Sequence, residues 1–532
     1  MVAVPLYDTL GPDAVGYIAR HAGLRAVFCS AATLPTLLHS TGGGNGCPDL
    51  TLVIVFGAPG NEPLGPVPPG AGFHIVRFEE LAATGQDQPE PHCPPDADDL
   101  FTICYTSGTT GVPKGAMLTH RNIIANSAGT EHMLGITCED VHISYLALAH
   151  IYERTNVTFM THRGAAVGFY RGEILELVDD ILELKPTTFC SVPRLLNRIY
   201  DKVQAGLLES GPVARWLFSQ AQASKLQALA VGDLSGGTMG SFWERLVFSK
   251  VQARLGGRVR FIGTGSSPIA PEVYNFLRCA FPEVHEGYGM TETCCMITMT
   301  DHEDPTIGHV GAPVFSCEVK LVDVPEMGYT NADHPHPRGE ICVRGPTVFQ
   351  GYYRDEAQTQ DCLDADGWFH TGDVGSWIEG GRLKIIDRKK NIFKLSQGEY
   401  VAPEKIENVY ARSPFVAQVF VYGDSLQAEL VAVVVPDPDH LLPWAQAHGL
   451  GGRSIEELCA HPDVSAAVFE SMQREGKSSK LRGFENARAI HLEPELWTVD
   501  NGMFTPTFKL KRPRAKEQYQ LDIQRMYQSL HR

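Results

Sequence analysis

Residues 105–122 read YTSGTTGVPKGAMLTHRN. Thr106, Ser107, Gly108, Thr109, Thr110 and Gly111 form an unbroken run of glycines and small hydroxyls, and Lys114 follows three residues later. A turn of this composition can bring many backbone N–H groups to one point with no side chain in the way, and the hydroxyls add donors. Phosphate oxygens suit such a concavity, and Lys114 supplies a mobile positive charge. A flexible Gly/Ser/Thr linker has the same composition but no reason to sit between an apolar run, LFTICY, and a helix. That helix is expected to begin near Leu118–Asn122, with its N-terminal dipole directed at the same anion. The spacing excludes the kinase and GTPase loop G-x-x-x-x-G-K-[ST], because Gly111 stands three residues before Lys114 and Gly115 replaces the magnesium-binding hydroxyl.

The elements that must hold this loop are those of a large α/β protein. A chain of 532 residues exceeds what one core supports, so at least two domains are expected. The net charge of −17 works against non-specific attraction to nucleic acid or an anionic surface, so an anionic ligand needs a local basic site. The 13 cysteines contain no C-x-x-C pair, which suggests neither a disulfide framework nor a zinc site and fits a reducing, intracellular compartment. No apolar run has bilayer length and MVAVPLYDTLG does not read as a signal or transit peptide, so the chain reads as soluble or peripheral. Thr51–Phe56, Phe73–Phe78 and Leu100–Tyr105 have the length and composition of strands. In 174–186, Ile174, Leu177, Val178, Ile181 and Leu182 share one helical face, and TTFCSVP and RLLNRIYDKV follow as strand and helix. This alternation predicts a largely parallel sheet covered by helices. CEVKLVD (317–323) and GEICVRG (339–345) predict an antiparallel β section, and VAPEKIENVYARS with ELVAVVVP a smaller α+β domain. The Pro-rich segments 61–72 and 86–99 read as loops.

Four further stretches follow the first in order: EGYGMTET (286–293), GWFHTGD (367–373), DRKKNIFKLSQGEYVAPEKIE (387–407) and TPTFKLKR (505–512). In these motifs, over most of its length, the chain resembles the AMP-forming acyl-activating (adenylate-forming) superfamily. LALAHIYER, KLSQGEYVAPEKIE and TPTFKLKRP are closest to the eukaryotic long-chain fatty acyl-CoA synthetases of plant and algal type. The resemblance implies a large AMP-binding and acyl-binding domain over 1–386, a hinge at 387–391 and a small mobile α+β domain over 392–532. It also implies that a carboxylate attacks the α-phosphorus of ATP with loss of pyrophosphate, and that coenzyme A then displaces AMP, with Mg²⁺ as cofactor. A fatty acid with a pKa near about 4.3 is already ionised at neutral pH, so the first step needs positioning and charge neutralisation and no general base.

Residue by residue, the resemblance assigns ATP to the run Thr106–Gly111 with Lys114, and to Glu286, Gly287, Tyr288, Gly289, Met290 and Thr291. Tyr288 is placed by adenine, Ser266 and Ser267 in IGTGSSPIAPE on the adenine side, Asp373 on the ribose hydroxyls, and Arg388 on ribose or phosphate. Glu292 is the Mg²⁺ carboxylate and Asp387 the hinge. Lys509, which bridges carboxylate and α-phosphate, forms the catalytic set with Thr291 and Glu292; Lys511 is the alternative lysine. Lys511, Arg512, Arg514 and Lys516 serve coenzyme A or form a solvated basic tail. His150 stands by the acyl carboxylate, and Gly164 and Ala165 leave room for an alkyl tunnel. LGGRS (450–454) resembles a phosphopantetheine attachment sequence but precedes Lys509, and it reads as a loop. The expected partners are small molecules and no nucleic acid, with peripheral contact to the endoplasmic reticulum or another organelle membrane in a full-length form, or a cytoplasmic location. VPLYDTLG lies well inside the large domain of the long-chain synthetases, so the resemblance implies a chain lacking the N-terminal part of that domain. Activation of another carboxylic acid, medium-chain or aryl, and a catalytically silent nucleotide-binding fragment stay open at this point.

Overall fold

Thr188–Ser191, within the run TTFCSVP, is a strand buried at every residue, as expected where both faces of a sheet are covered. It lies in a seven-stranded sheet with the order Ala312–Pro313, Cys295–Met299, Glu283–Met290, Phe261–Thr264, Thr188–Ser191, Val141–Ser144, Ala166–Phe169. The last five run parallel, whereas the first two pair antiparallel, so the expectation of a largely parallel sheet holds for its centre and one end. The computed structural model describes residues 1–6, 12–41, 46–57, 64, 72–106, 113–233, 237–423, 425–505 and 509–530.

Helices Pro193–Glu209 and Pro271–Ala280 both start on a proline, which has no N–H to leave orphaned at a helix start. They help close the main core around Phe189, Ile262, Phe276, Leu277 and Phe248. A separate parallel sheet of Ala26–Ser30, Leu52–Phe56 and His74–Arg77 holds the N-terminal region; the last is shorter than expected because Phe78 opens a helix, Phe78–Asp87. In 174–186 the first turn is 3₁₀ and the α-helix spans Leu177–Leu184. Only Leu177 and Ile181 of the expected apolar face are buried; Ile174, Val178 and Leu182 are exposed.

The helix expected to begin near Leu118–Asn122 begins at His120, but a strand separates it from the loop. Lys114–Thr119 is a strand, paired antiparallel with Leu100–Thr106, and the helix His120–Glu131 begins only after it, capped by Thr119. Six extended residues span roughly 20 Å, so the dipole of that helix acts far from Lys114. The antiparallel section has the order Glu318–Val322, Arg338–Arg344, Phe369–Ile378, Arg382–Arg388. Beyond it a C-terminal lobe forms on Val416–Tyr422, Leu430–Pro436 and Ala487–Leu492. Leu430–Pro436 is buried throughout because it has a core on each side, one around Val421, Leu441 and Val468, the other around Trp497, Tyr519 and Ile523. Among the described residues, no helix is long and apolar enough to cross a membrane.

Candidate active site

The carboxyl ends of the parallel strands open onto one cleft, the usual ligand position in an open α/β sheet. Glu283–Met290 carries most of EGYGMTET to that edge, and its register with Cys295–Met299 shifts between Tyr288 and Gly289. A Cβ on Gly289 would lie 1.3 Å from the Cys295 carbonyl oxygen, so the close approach that shapes this corner requires glycine. Ser266 follows Phe261–Thr264 at φ 74°, turning the chain along the cleft with Ser267. The antiparallel pairing sets Asp373 opposite Arg388, and Arg388 Nε stands 3.5 Å from Asp373 Oδ1. Tyr288 donates its hydroxyl proton to Asp373 Oδ2 at 2.7 Å, so three stretches far apart in sequence meet at one carboxylate. Burial holds the Asp373 carboxyl above its ordinary range, opposed by Arg388 and by the Tyr288 hydrogen bond.

Glu292 is buried on the turn Thr291–Thr293, and the Tyr352 hydroxyl donates to its Oε1 at 2.6 Å. Lys114 lies 5.2 Å from the centre of the Tyr352 ring, and Ala116 bridges to the Tyr352 backbone. Tyr352 therefore ties the loop lysine to the Glu292 carboxylate. It lines the cleft, and the motifs did not single it out, because the GYY at 351–353 carries no recognisable chemistry on its own. No group of three or more metal-ligating side chains exists among the described residues. One buried carboxylate on the cleft fits a magnesium ion that arrives on a polyphosphate and keeps water and phosphate ligands. Thr106 and Lys114 line the cleft; Ser107, Gly108, Thr109, Thr110 and Gly111 lie outside the described residues. Gly287, Met290 and Thr291 line it too. Glu286 does so as a neutral acid: burial pushes its carboxyl up to about 8, and its backbone N–H donates to Thr300 Oγ1 at 2.9 Å. At neutral pH it brings no charge to a ligand.

From the C-terminal lobe, Lys509 enters the same cleft, its backbone held by two hydrogen bonds with Thr505, at 2.8 and 3.0 Å. Burial lowers its pKa, as does the field of Arg388, while Asp373, Glu404 and Glu292 oppose that shift. Its charge also reaches His150, whose pKa is pushed down to about 4 by burial first and by Lys509 second. His150 caps the helix Ile151–His162, its Nδ1 accepting from the Tyr152 N–H at 3.1 Å. A neutral ring with Nδ1 as acceptor carries its proton on Nε2, which is left as a donor. Asp387, at the end of Arg382–Arg388, accepts from the Arg388 N–H at 2.6 Å and from the Glu404 N–H at 3.0 Å, and so ties that strand to the helix Pro403–Tyr410. Burial and then Glu404 raise its pKa.

Some expected site residues lie elsewhere. Gly164 ends the helix Ile151–His162 at φ 70°, and Ala165 packs with Ile136, Phe159 and Met160; both are absent from the cleft wall. The apolar wall includes Ile174 and Val178, which share one helical face in the sequence; an apolar residue facing a ligand space has the same periodicity as one facing protein. The basic residues after Lys509 do line the cleft, Lys511, Arg512, Arg514 and Lys516 alike, with Arg512 paired to Glu407, Arg514 3.3 Å from Glu517 and Lys516 over the Tyr422 ring. Ser454 of LGGRS accepts from the Glu457 N–H as a helix cap, as a loop residue would.

The AMP-binding enzyme family matches residues 1–353, and the AMP-binding enzyme C-terminal domain matches 405–474. The chain is 54% identical over 530 residues to the peroxisomal long chain acyl-CoA synthetase 6 of Arabidopsis thaliana, covering 99% of this chain and 74% of that protein. It is 46% identical over 537 residues to long-chain-fatty-acid–CoA ligase 1 of Homo sapiens, covering 100% of this chain and 75% of that one. Among solved structures it is similar to the adenylation domain of a carboxylate reductase from Mycobacterium chelonae, with a TM-score of 0.79 at 28% identity, over 99% of this chain and 76% of that one. The A domain of a carboxylic acid reductase from Segniliparus rugosus, solved with AMP and a co-purified carboxylic acid, gives 0.76 at 26% identity, over 100% and 79%.

Proposed function

The chain belongs to the AMP-binding enzyme family, among its long-chain acyl-CoA synthetases, and we propose that the cleft between its lobes carries out both halves of fatty-acid activation. In the first, a fatty-acid carboxylate oxygen bonds to the α-phosphorus of ATP as the bond to pyrophosphate breaks. In the second, the sulfur of coenzyme A bonds to the acyl carbon, its proton is lost, and AMP leaves. The observation that carries this reading is the convergence of Lys509 from the C-terminal lobe with Asp373, Arg388 and Glu292 in one cleft.

Asp373, oriented by Tyr288, accepts from the ribose hydroxyls, and Tyr288 borders the adenine with Ser266 and Ser267. Lys114 and the run Thr106–Gly111 hold the outer phosphates. Lys509 bridges the two anions that must meet, next to the backbone of Thr291, and the Nε2–H of His150 is aimed at the acyl carboxylate. Magnesium, held by Glu292 and phosphate oxygens, would neutralise phosphate charge. Ile174 and Val178 form part of the acyl wall. The division into a large domain over 1–386, a hinge at 387–391 and a small domain over 392–532 lets the small domain withdraw Lys509 after the first half-reaction and admit coenzyme A.

The test is isotopic ATP–pyrophosphate exchange with palmitate, oleate, octanoate and benzoate, with the nucleotide product identified. Exchange that is fastest with the long-chain acids, with AMP as product, is expected. ADP as product, or no exchange with any acid, refutes the reading, and exchange fastest with benzoate moves it to another acid.

A further inference from the structure

Helix Pro212–Ala230 presents to water a face almost without charge. Its inner side, Phe218, Ala221 and Leu229, packs into the main core. Its outer side is Val213, Trp216, Gln220, Ala223, Gln227 and Ala230, recurring every three or four residues and all exposed. Trp216 is 60% and Val213 70% exposed. The helix has no acidic residue and two basic ones, Arg215 and Lys225, whereas the outer side of a surface helix is ordinarily charged. Exposed Leu208 precedes it and exposed Val231 follows it. On the next helical segment Phe242 and Leu246 share an open concavity with Arg245.

Along this stretch of the chain the charge reverses sign. Residues 193–260 hold ten Lys and Arg against four Asp and Glu, in a chain of net charge −17. Arg215, Arg245, Lys250, Arg254 and Arg258 are exposed. Arg254 lies against the helix Pro193–Glu209, its Nη1 3.4 Å from the Lys202 carbonyl oxygen.

We infer that helix Pro212–Ala230 is a docking face that lies flat on an anionic lipid bilayer, with Trp216 and Val213 entering the interface and the basic rim on the head groups. An exposed Trp beside aliphatic residues suits the boundary between water and acyl chains, and a cationic rim adds attraction to acidic lipids. Because the chain as a whole is repelled by such a surface, charge selects this face for contact. A second copy would bring two basic rims together, which disfavours self-association here. Helix Pro193–Glu209 begins at the cleft wall with Pro193, Leu195 and Ile199 and reaches Leu208 about 25 Å on, so docking sets the acyl side of the cleft near the membrane. That last consequence rests on the fatty-acid reading; the docking does not.

The test is co-sedimentation of the purified chain with vesicles of phosphatidylcholine alone or with about 30 mol% phosphatidylserine. Binding to the anionic vesicles should be tighter by about tenfold or more and should weaken with added salt. The pairs Val213→Ser/Trp216→Ser and Arg245→Glu/Lys250→Glu should each lower it by about tenfold or more, with turnover of water-soluble octanoate unchanged. Tryptophan emission should shift to the blue on anionic vesicles, and Trp216→Phe should remove that shift. Absent or equal binding to the two vesicle types, binding undiminished in both variants, or no wild-type shift overturns the docking. So does loss of a dimer, with vesicle binding retained, in Val213→Ser/Trp216→Ser. Vesicle binding that follows the expected pattern in a chain that turns over no acid upholds the docking while it refutes the fatty-acid reading.

Discussion

Replacing Lys509 with alanine should separate the two half-reactions. Lys509 enters the cleft from the C-terminal lobe, facing Asp373, Glu404 and Glu292 across Arg388. A unit charge about 4 Å from a phosphoryl oxygen, at an effective dielectric near 20, contributes about 4 kcal/mol. Arg388 remains in the variant and water enters the vacated space, so a net loss of about 2–4 kcal/mol, roughly 30- to 1000-fold in rate, is expected for adenylation. ATP–pyrophosphate exchange reads that step alone. Thioester formation from supplied acyl-adenylate and coenzyme A reads the other, and it should stay within about threefold, since a lysine used to join two anions has no task once they are joined. Because burial lowers the Lys509 pKa, the cation is lost as pH rises through that lowered value. Exchange should therefore fall at a lower alkaline pH than an ordinary lysine would give, and Lys509→Arg should move that limb upward. Equal losses in both half-reactions would mean that Lys509 acts through the fold or the hinge, and the reasoning would fail; unchanged exchange would refute it directly.

Glu286→Gln should change the pH dependence of stability. With its folded pKa raised to about 8, stability linked to its proton is fully present below the ordinary carboxylate range and lost as pH rises through about 8. The wild-type melting temperature should thus decline more steeply than that of Glu286→Gln between about pH 6 and pH 9, a relative loss on the order of 3 kcal/mol across that window; parallel profiles would show that the carboxyl is not a buried neutral acid. Gly289→Ala sets a Cβ 1.3 Å from the Cys295 carbonyl oxygen, a clash between backbones that no rotamer relieves. A cost of about 3 kcal/mol or more is expected, with AMP binding lost in calorimetry even if the protein stays soluble; AMP affinity within about twofold of wild type would contradict the geometry.

Tyr288, Asp373 and Arg388 could be singled out because they sit in contiguous motifs, and the structure brings the three into contact. The partner that orients Glu292 could not be, since Tyr352 reaches it from 60 residues away through a fold contact that leaves no local pattern. The helix start near Leu118–Asn122 was legible, but the strand KGAMLT before it was not, because so short a run is ambiguous in period and its pairing with Leu100–Thr106 is non-local information. The lining of the cleft was harder to read. Small residues such as Gly164 and Ala165 look like empty space in sequence, but one closes a helix and the other fills a core. Space arises instead where Ile174 and Val178 lack a packing partner, a three-dimensional fact.

The packing also explains how one cleft can serve two reactions. The apolar core around Phe189 and Ile262 draws only on residues before the proposed hinge at 387–391, and the two cores on either side of Leu430–Pro436 draw only on residues after it. Across the joint lie polar ties: Asp387 to the Glu404 N–H, Lys389 at 3.5 Å from Glu326 and 3.4 Å from Glu340, and Arg412 at 3.8 Å from Glu272. Exposed ion pairs of this kind contribute about 0–1 kcal/mol each, so rotation of the lobe breaks little. One apolar cluster does cross, joining Val324, Tyr329 and Val374 to Ile392. Ile392 lies five residues from Asp387, the proposed hinge, while Tyr400, packed against the same cluster, lies thirteen residues from it. We propose that rotation about Asp387 keeps the Ile392 contact near the pivot while Lys509 leaves the cleft.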